Sequence, residues 1–308
     1  MSQPTVDVQH VTKKIKKAII LDDITFTLSK GEVFGLVGPN GAGKTTLMKM
    51  IVGLTSCTSG DIHVLGNSMV SHRMVNLTKI GAIIETPSFY DFFSGWENLR
   101  YFSLMHSDCD QDKINSVLDL VGLKEEKDKA FKKYSLGMKQ RLGIANALLH
   151  DPEFLILDEP TSTLDPLASY EFRSLIKQLN KEHGMTILIS SHNLKEIEEV
   201  CHRYAILSEG KIKSINEIKT IQVNETITLT IHLDQPEKAR NLLAGHHEVK
   251  DVKLRKDGKG IEVVFPRSFY TQVVSFLISN QLIITSISEV EEGVTNEYYK
   301  TFMAGGER

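Results

Sequence analysis

The stretch "GPNGAGKTT", Gly38 to Thr46, sits between an apolar run, "VFGLV", and the helix-like text "LMKMIVGL". Few sequence features constrain a fold as tightly, because a buried strand must stop, turn through glycines and restart at once as a helix. Gly38, Gly43, Lys44 and Thr45 satisfy G-x-x-x-x-G-K-[ST], the phosphate-binding loop, in the strand-to-helix context it needs. Glycines let backbone N–H groups approach phosphate oxygens, and the helix that follows presents its positive end. The candidate nucleotide set is therefore Gly38, Pro39, Asn40, Gly41, Ala42, Gly43, Lys44, Thr45 and Thr46. Lys44 is the counter-charge for the β- and γ-phosphates and Thr45 a ligand for Mg²⁺. A glycine turn without a ligand is the plainer alternative.

A second half of such a site lies far along the chain. "FLILDEP" is a short, continuous apolar run that delivers Asp158 and Glu159 to a strand end. A carboxylate there can hold Mg²⁺, and its neighbour can polarise an attacking water. "TILIS" is another such run, and "SSHN" places His192 just past it. Strands with no polar alternation are covered on both faces, which predicts an α/β fold around a parallel sheet. Alone, His192 reads as an ordinary strand-end histidine.

Before the loop, "VDVQHV" and the two strand-like runs of "AIILDDITFTLSKGEVFGLVG" predict an antiparallel N-terminal layer. Residues from about 86 to 150 turn helical. "DKINSVLDLVGL" carries Ile114, Val117, Leu118 and Val121 on one face, with Asp112 as the expected N-cap and Gly122 as the stop. "INEIKTIQVNET" reads as a linker, which divides the chain into residues 1–217 and 218–308. The second part runs β-α-β-β-α-β, a ferredoxin-like order, with Asp257 and Gly258 at the hairpin turn.

With 308 residues, 41% of them hydrophobic, the chain can bury a core in each part. A net charge of -3 and the lack of a basic stripe with interleaved aromatics argue against nucleic acid as a partner. No apolar run reaches the roughly 18–20 residues of a membrane span, and "MSQPTVDVQH" lacks signal-peptide order. Three scattered cysteines predict neither disulfides nor zinc.

Between the two halves stands "YSLGMKQRLGIANALL". It resembles the signature motif of ATP-binding cassette proteins, although Leu136, Met138 and Lys139 depart from its commonest wording. Read from the residues alone, Ser135 is a good N-cap. "STLD" (Ser162 to Asp165) is similar to the D-loop of that family, and His192 stands where its switch histidine does. The resemblance covers about residues 5–215 and implies an ABC transporter ATPase. It implies that Glu159 is the general base and His192 the γ-phosphate sensor. It also implies that Ser135 and Gly137, with Met138 beside them, contact nucleotide bound by a second copy of the chain. ATP and Mg²⁺ are the implied cofactors, with Thr45, Asp158 and Glu85 around the metal. The implied place is the cytoplasm, on the inner face of the membrane and docked to separately encoded permease subunits.

Two departures stand out. Ile15 occupies a place where the family usually stacks an aromatic on adenine, and Glu85 stands where it normally has glutamine. The glutamate, the signature wording and the small C-terminal part are similar to the bacitracin and lantibiotic immunity branch. Glu85 is expected to link the nucleotide to the membrane partner through "SFYDFFSGWENL", whose Phe89, Tyr90, Phe92, Phe93 and Trp96 supply anchors or subdomain core. The rival is a non-transport cassette ATPase working as an ATP-driven dimerisation switch. A DNA-repair cassette would need a long coiled coil, a translation factor two phosphate loops, and a plain kinase no signature element. "DCDQDKINSVLD" mimics a calcium loop but has Lys113 in place of its glycine. "HHE" (His246 to Glu248) lacks partners for a metal.

Overall fold

The computed structural model describes residues 3–106, 109–218, 226–255 and 257–289. They form two compact units, residues 1–218 and 219–308. In the first, β1 (Val6–Ile15) and β2 (Ala18–Leu28) lead to β3 (Val33–Val37), the loop and α1 (Lys44–Ile51). Then come β4 (Ser59–Val64), β5 (Asn67–Ser68), α2 (Arg73–Leu77) and β6 (Ile80–Ile83). A helical stretch follows: α3 (Gly95–Ser103), α4 (Gln111–Leu120) and α5 (Leu136–Ala147). The chain returns through β7 (Phe154–Asp158), α6 (Pro166–His183), β8 (Thr186–Ser191), α7 (Leu194–Val200), β9 (Arg203–Ser208) and β10 (Lys211–Glu217).

The central sheet has the order β10-β9-β3-β8-β7-β6. Its strands β9, β3, β8, β7 and β6 are parallel, and β10 is an antiparallel edge. Every residue of β3, β7 and β8 is buried, as their unbroken apolar text predicts. Strands β3, β8 and β7 are neighbours running the same way, so their carboxyl ends open on one place. In parallel sheets that end is where ligands bind.

The antiparallel layer has the order β2-β1-β4-β5. The expectation needs one correction, because "VFGLV" joins the central sheet and β4 and β5 complete the layer. The reason is burial: all five residues of β3 are covered, whereas β2 alternates between buried and exposed positions. One core lies between the two sheets, joining Val8, Leu21 and Phe26 to Phe34, Phe154 and Leu188, with the Phe26 and Phe34 rings stacked at 5.5 Å.

In the helical stretch α4 starts one turn-fraction earlier than the apolar spacing suggested. Asp110, not Asp112, is its N-cap, accepting from the Lys113 N–H at 2.8 Å, and Gly122 ends the turn at φ +70°. Likewise Ile215 to Glu217, read as linker, complete β10. Residues 219–225 of that linker lie outside the described residues.

The second unit runs β11 (Thr226–Leu233), α8 (Pro236–Ala244), β12 (Asp251–Leu254), β13 (Gly260–Pro266), α9 (Tyr270–Ser279) and β14 (Ile284–Glu289). Its sheet is antiparallel in the order β12-β13-β11-β14. Alternate residues of β11 and β13, among them Leu229, Ile231, Ile261, Val263 and Phe265, pack against Val273 and Leu277 of α9.

Phe154 is fully buried where β7 meets that shared core. Phe154→Ala is expected to cost about 3–5 kcal/mol, read as a lower urea midpoint for the first unit. A loss under about 1 kcal/mol would show that the core does not depend on this ring.

Candidate active site

The loop's glycines are fixed by space as well as conformation. Gly43 has φ +107°, and a Cβ there would fall 2.6 Å from Leu21 Cδ2; one at Gly38 would fall 2.2 Å from the Leu207 carbonyl oxygen. Gly43 caps α1 without any side chain, so the positive end of the helix faces the loop. Lys44 begins the helix and is 5% exposed. Its ammonium donates to the carbonyls of Gly38 at 2.7 Å and Pro39 at 3.1 Å, and lies 3.1 Å from Glu159 Oε1.

Opposite the loop, Asp158 ends β7 with both oxygens engaged. The Thr45 hydroxyl donates to Oδ2 at 2.7 Å and the Ser190 hydroxyl to Oδ1 at 2.6 Å. Ser190 in turn accepts from the Glu159 N–H at 2.9 Å. Loop, β7 and β8 are thereby tied through one carboxylate. Glu159 has φ +43°, a left-handed conformation that a non-glycine residue holds only where its surroundings over-determine it. Its carboxylate also accepts from His192 Nδ1 at 2.8 Å. Burial pushes the Glu159 carboxyl up, but the hydrogen bonds and charges of Lys44 and His192 outweigh it and leave it below the usual range.

A third carboxylate lies beneath. Glu196 of α7 is 2% exposed and accepts from the hydroxyls of Thr161 and Ser191, the latter at 2.5 Å. Burial raises its carboxyl above the ordinary range, with those hydrogen bonds acting in the opposite direction. Ser190, Glu196 and the Lys44–Glu159 pair are not among the residues the sequence marks. The first serine of "SSHN" is the available signal for Ser190; Glu196 carries none, being one of several glutamates in "KEIEEV".

The structure therefore gathers Lys44, Thr45, Asp158, Glu159 and His192. Glu85 stands apart from the Thr45–Asp158 pair: its carboxylate meets Lys49 Nζ at 2.6 Å, on α1 one turn past Thr45. Ser135 caps α5 by accepting from the Met138 N–H, and Gly137 lies against Ala168 of α6. Among the described residues no hydrogen bond joins Ser135, Gly137 or Met138 to the phosphate loop of their own chain. Ile15 is half exposed at a hairpin tip. Of the aromatic segment, Phe89 is claimed by Phe102 and Phe131, while Tyr90, Phe92 and Phe93 are exposed. Among the described residues no helix is long and apolar enough to cross a membrane.

A phosphate loop facing an Asp-Glu strand end and a histidine, on a parallel sheet with an antiparallel layer and a helical arm, defines a cassette-type ATPase. The ABC transporter family model matches residues 21–162. Over nearly full length the chain is similar to the uncharacterized ABC transporter ATP-binding protein YhcH of Bacillus subtilis, at 39% identity covering 95% of this chain and 94% of that protein. It is 35% identical to the bacitracin transport ATP-binding protein BcrA of Enterococcus faecalis, covering 98% and 97% of the two. It is 43% identical to the lantibiotic transport ATP-binding protein SrtF of Streptococcus pyogenes, covering 67% of this chain and 87% of that one. Among solved structures, cbiO1 of Clostridium perfringens, part of the ABC transporter complex cbiONQ, superposes with a TM-score of 0.65 at 26% identity, covering 71% of this chain and 90% of the other. The chain belongs to the ATP-binding proteins of ABC transporters. It is an ATPase and the ATP-binding subunit of such a transporter.

Removing the Lys44 charge should act on two observables. Lys44→Met is expected to weaken ATP binding at least tenfold in a titration, since a charged hydrogen bond of about 1.5–3 kcal/mol to phosphate is lost. In the nucleotide-free protein it should also raise the Glu159 carboxyl, followed by carbon-13 NMR against pH, because burial is then opposed by His192 alone. Unchanged affinity would mean that this loop is not the nucleotide site.

Proposed function

We propose that this chain powers a separately encoded membrane permease that exports antimicrobial peptides of the bacitracin or lantibiotic kind. The observation that carries the ATPase part is the junction at Asp158 and Glu159, where Thr45, Lys44, Ser190 and His192 meet. The cargo rests on BcrA and SrtF, whose names assign them bacitracin and lantibiotic transport. A soluble dimerisation switch without transport is not favoured by either relative.

The residues present fit Mg²⁺. The Thr45 hydroxyl and Asp158 carboxylate are hard oxygen donors already 2.7 Å apart, and Mg²⁺ takes one or two protein oxygens with phosphates and water completing its shell. When bound, the ion would neutralise charge on the β- and γ-phosphates. The protein's own groups do the rest. Lys44 exchanges its carbonyl and Glu159 partners for phosphate oxygens. Glu159, released from Lys44 and still held by His192, accepts a proton from the water that attacks the γ-phosphorus, while the bond from that phosphorus to the β–γ bridging oxygen breaks and ADP leaves with the bond's electron pair. His192, half exposed beside it, donates toward the γ-phosphate.

The Ser135–Met138 element completes a second copy's site, so two chains meet head to tail with two ATP molecules between them. Its position at the start of α5 supports this, since a helix N-terminus favours an anionic ligand and these residues do not serve their own loop. The dimer sits in the cytoplasm on the inner face of the membrane, with Tyr90, Phe92 and Phe93 as the permease contact.

Glu159→Gln keeps shape and loses basicity. Turnover is expected to fall at least about 10²-fold while MgATP binding persists and a stable dimer accumulates in sedimentation. A variant that stays monomeric with excess MgATP would contradict the two-chain site.

Glu85 is 66% exposed in its side chain, and an ion pair this open is worth about 0–1 kcal/mol, weak enough to exchange during a cycle. Glu85→Gln is expected to leave ATP affinity of the isolated chain within about twofold, as a surface pair of that strength implies. In the assembled transporter it should lower peptide resistance per ATP hydrolysed. Wild-type resistance and ATPase together would make Glu85 a tolerated surface residue, and lost nucleotide binding would place it in the binding site.

A further inference from the structure

The buried Glu196 carboxylate has no part in the chemistry described so far, yet it joins the two segments that carry it. Thr161 lies two residues after Glu159, in the turn that holds Glu159 at φ +43°. Within that turn the Ser162 N–H donates to the Glu159 carbonyl at 3.2 Å and the Leu164 N–H to the Thr161 carbonyl at 3.0 Å. Ser191 immediately precedes His192, and its hydroxyl also accepts from the Asn193 N–H at 2.9 Å. Glu196 accepts from both hydroxyls, one on each oxygen, so one rigid carboxylate sets the spacing between the turn after β7 and the end of β8.

We propose that Glu196 is a positioning residue for ATP hydrolysis: by bridging Thr161 and Ser191 it holds Glu159 and His192 in register with each other. The proposal deepens the reading of Glu159 as general base and rests on it. Glu159 is held by Ser190 on its N–H, by Lys44 and His192 on its carboxylate, by Ser162 on its carbonyl, and by the Thr161–Glu196 bond on the turn that follows. The contacts on Glu159 and those inside the turn move with the turn, so they leave it free to shift as a whole from a conformation that costs on the order of 1–3 kcal/mol to maintain. The Thr161–Glu196 bond ties the turn to α7, an element outside it. The bridge is also separate from the nucleotide loop, since Thr45 is held by Asp158 and Lys44 by Gly38, Pro39 and Glu159, with Glu196 not among these partners. Loss of the bridge should therefore affect the chemical step and spare binding.

The test is steady-state ATP turnover by the full chain with substrate affinity measured separately. Glu196→Ala is expected to lower kcat about 10–100-fold, the size typical for groups that orient catalytic residues, with KM for ATP within about threefold. Glu196→Gln keeps an acceptor and the side-chain length, and either hydroxyl can rotate to meet its amide, so kcat should recover to within about threefold of wild type. Thr161→Val, which keeps shape and removes one hydroxyl, guards against a Glu196→Ala chain that fails to fold. It should lower kcat alone, and combining the two changes should add little, because they break the same bridge. Wild-type kcat in Thr161→Val and Glu196→Ala would overturn the proposal, as would parallel losses in kcat and affinity or a Glu196→Gln chain as slow as Glu196→Ala. Glu159→Gln, assayed alongside, separates the two ideas: if it keeps turnover, the base assignment fails; if it is inactive while Glu196→Ala is not, only the bridge fails.

Discussion

Two hydrogen bonds to one carboxylate hold the site together. Asp158 takes the Thr45 hydroxyl on one oxygen and the Ser190 hydroxyl on the other, and through them the phosphate loop, β7 and β8 share a common anchor. A buried carboxylate is costly unless its oxygens are satisfied, so the three segments cannot drift apart without exposing that cost. The sheet order makes the anchor possible. Since β8 lies between β3 and β7, its Ser190 reaches Asp158 on one side while β3 feeds the loop on the other. Burial and charge then set the catalytic carboxylate: desolvation pushes Glu159 toward its neutral form, and two cationic or donating neighbours keep it ionised.

The nucleotide-free arrangement uses the same groups in a second way. Lys44 is nearly buried and its charge is met by two carbonyls and by Glu159. A phosphate that enters replaces those partners rather than meeting an unpaired ammonium, so part of the binding energy is spent on exchange. In the proposed cycle the exchange also serves the chemistry, because it frees Glu159 to act as base as the substrate arrives. Glu159 remains aligned through His192 and through the turn that Glu196 braces.

How much of this the sequence displayed depended on whether a role is local. The phosphate loop, "FLILDE" and the strand-end histidine are each contiguous, and their spacing alone predicts a strand end or a helix start at the right residue. Ser190, Lys49 and Glu196 owe their roles to partners 32, 36 and 35 residues away, and no short-range pattern marks such pairs. The errors have the same origin. The sequence places "VFGLV" in the antiparallel layer and the structure in the central sheet, because an apolar run shows that a strand is buried and not which neighbours bury it. Asp112 was preferred to Asp110 as a cap since both precede the same apolar face, and the backbone entering α4 decides between them. The partner of Glu85 is equally invisible in the sequence: its side chain is paired with Lys49.

The most direct measurement is a crystal structure of the wild-type chain with Mg²⁺ and a non-hydrolysable ATP analogue. The account expects Lys44 Nζ to have left Glu159 for the β- and γ-phosphates, with Glu159 still bonded to His192 and Asp158 still bonded to Ser190. A structure in which the analogue is bound while the Lys44–Glu159 pair persists, or in which Asp158 has let go of Ser190, would contradict it.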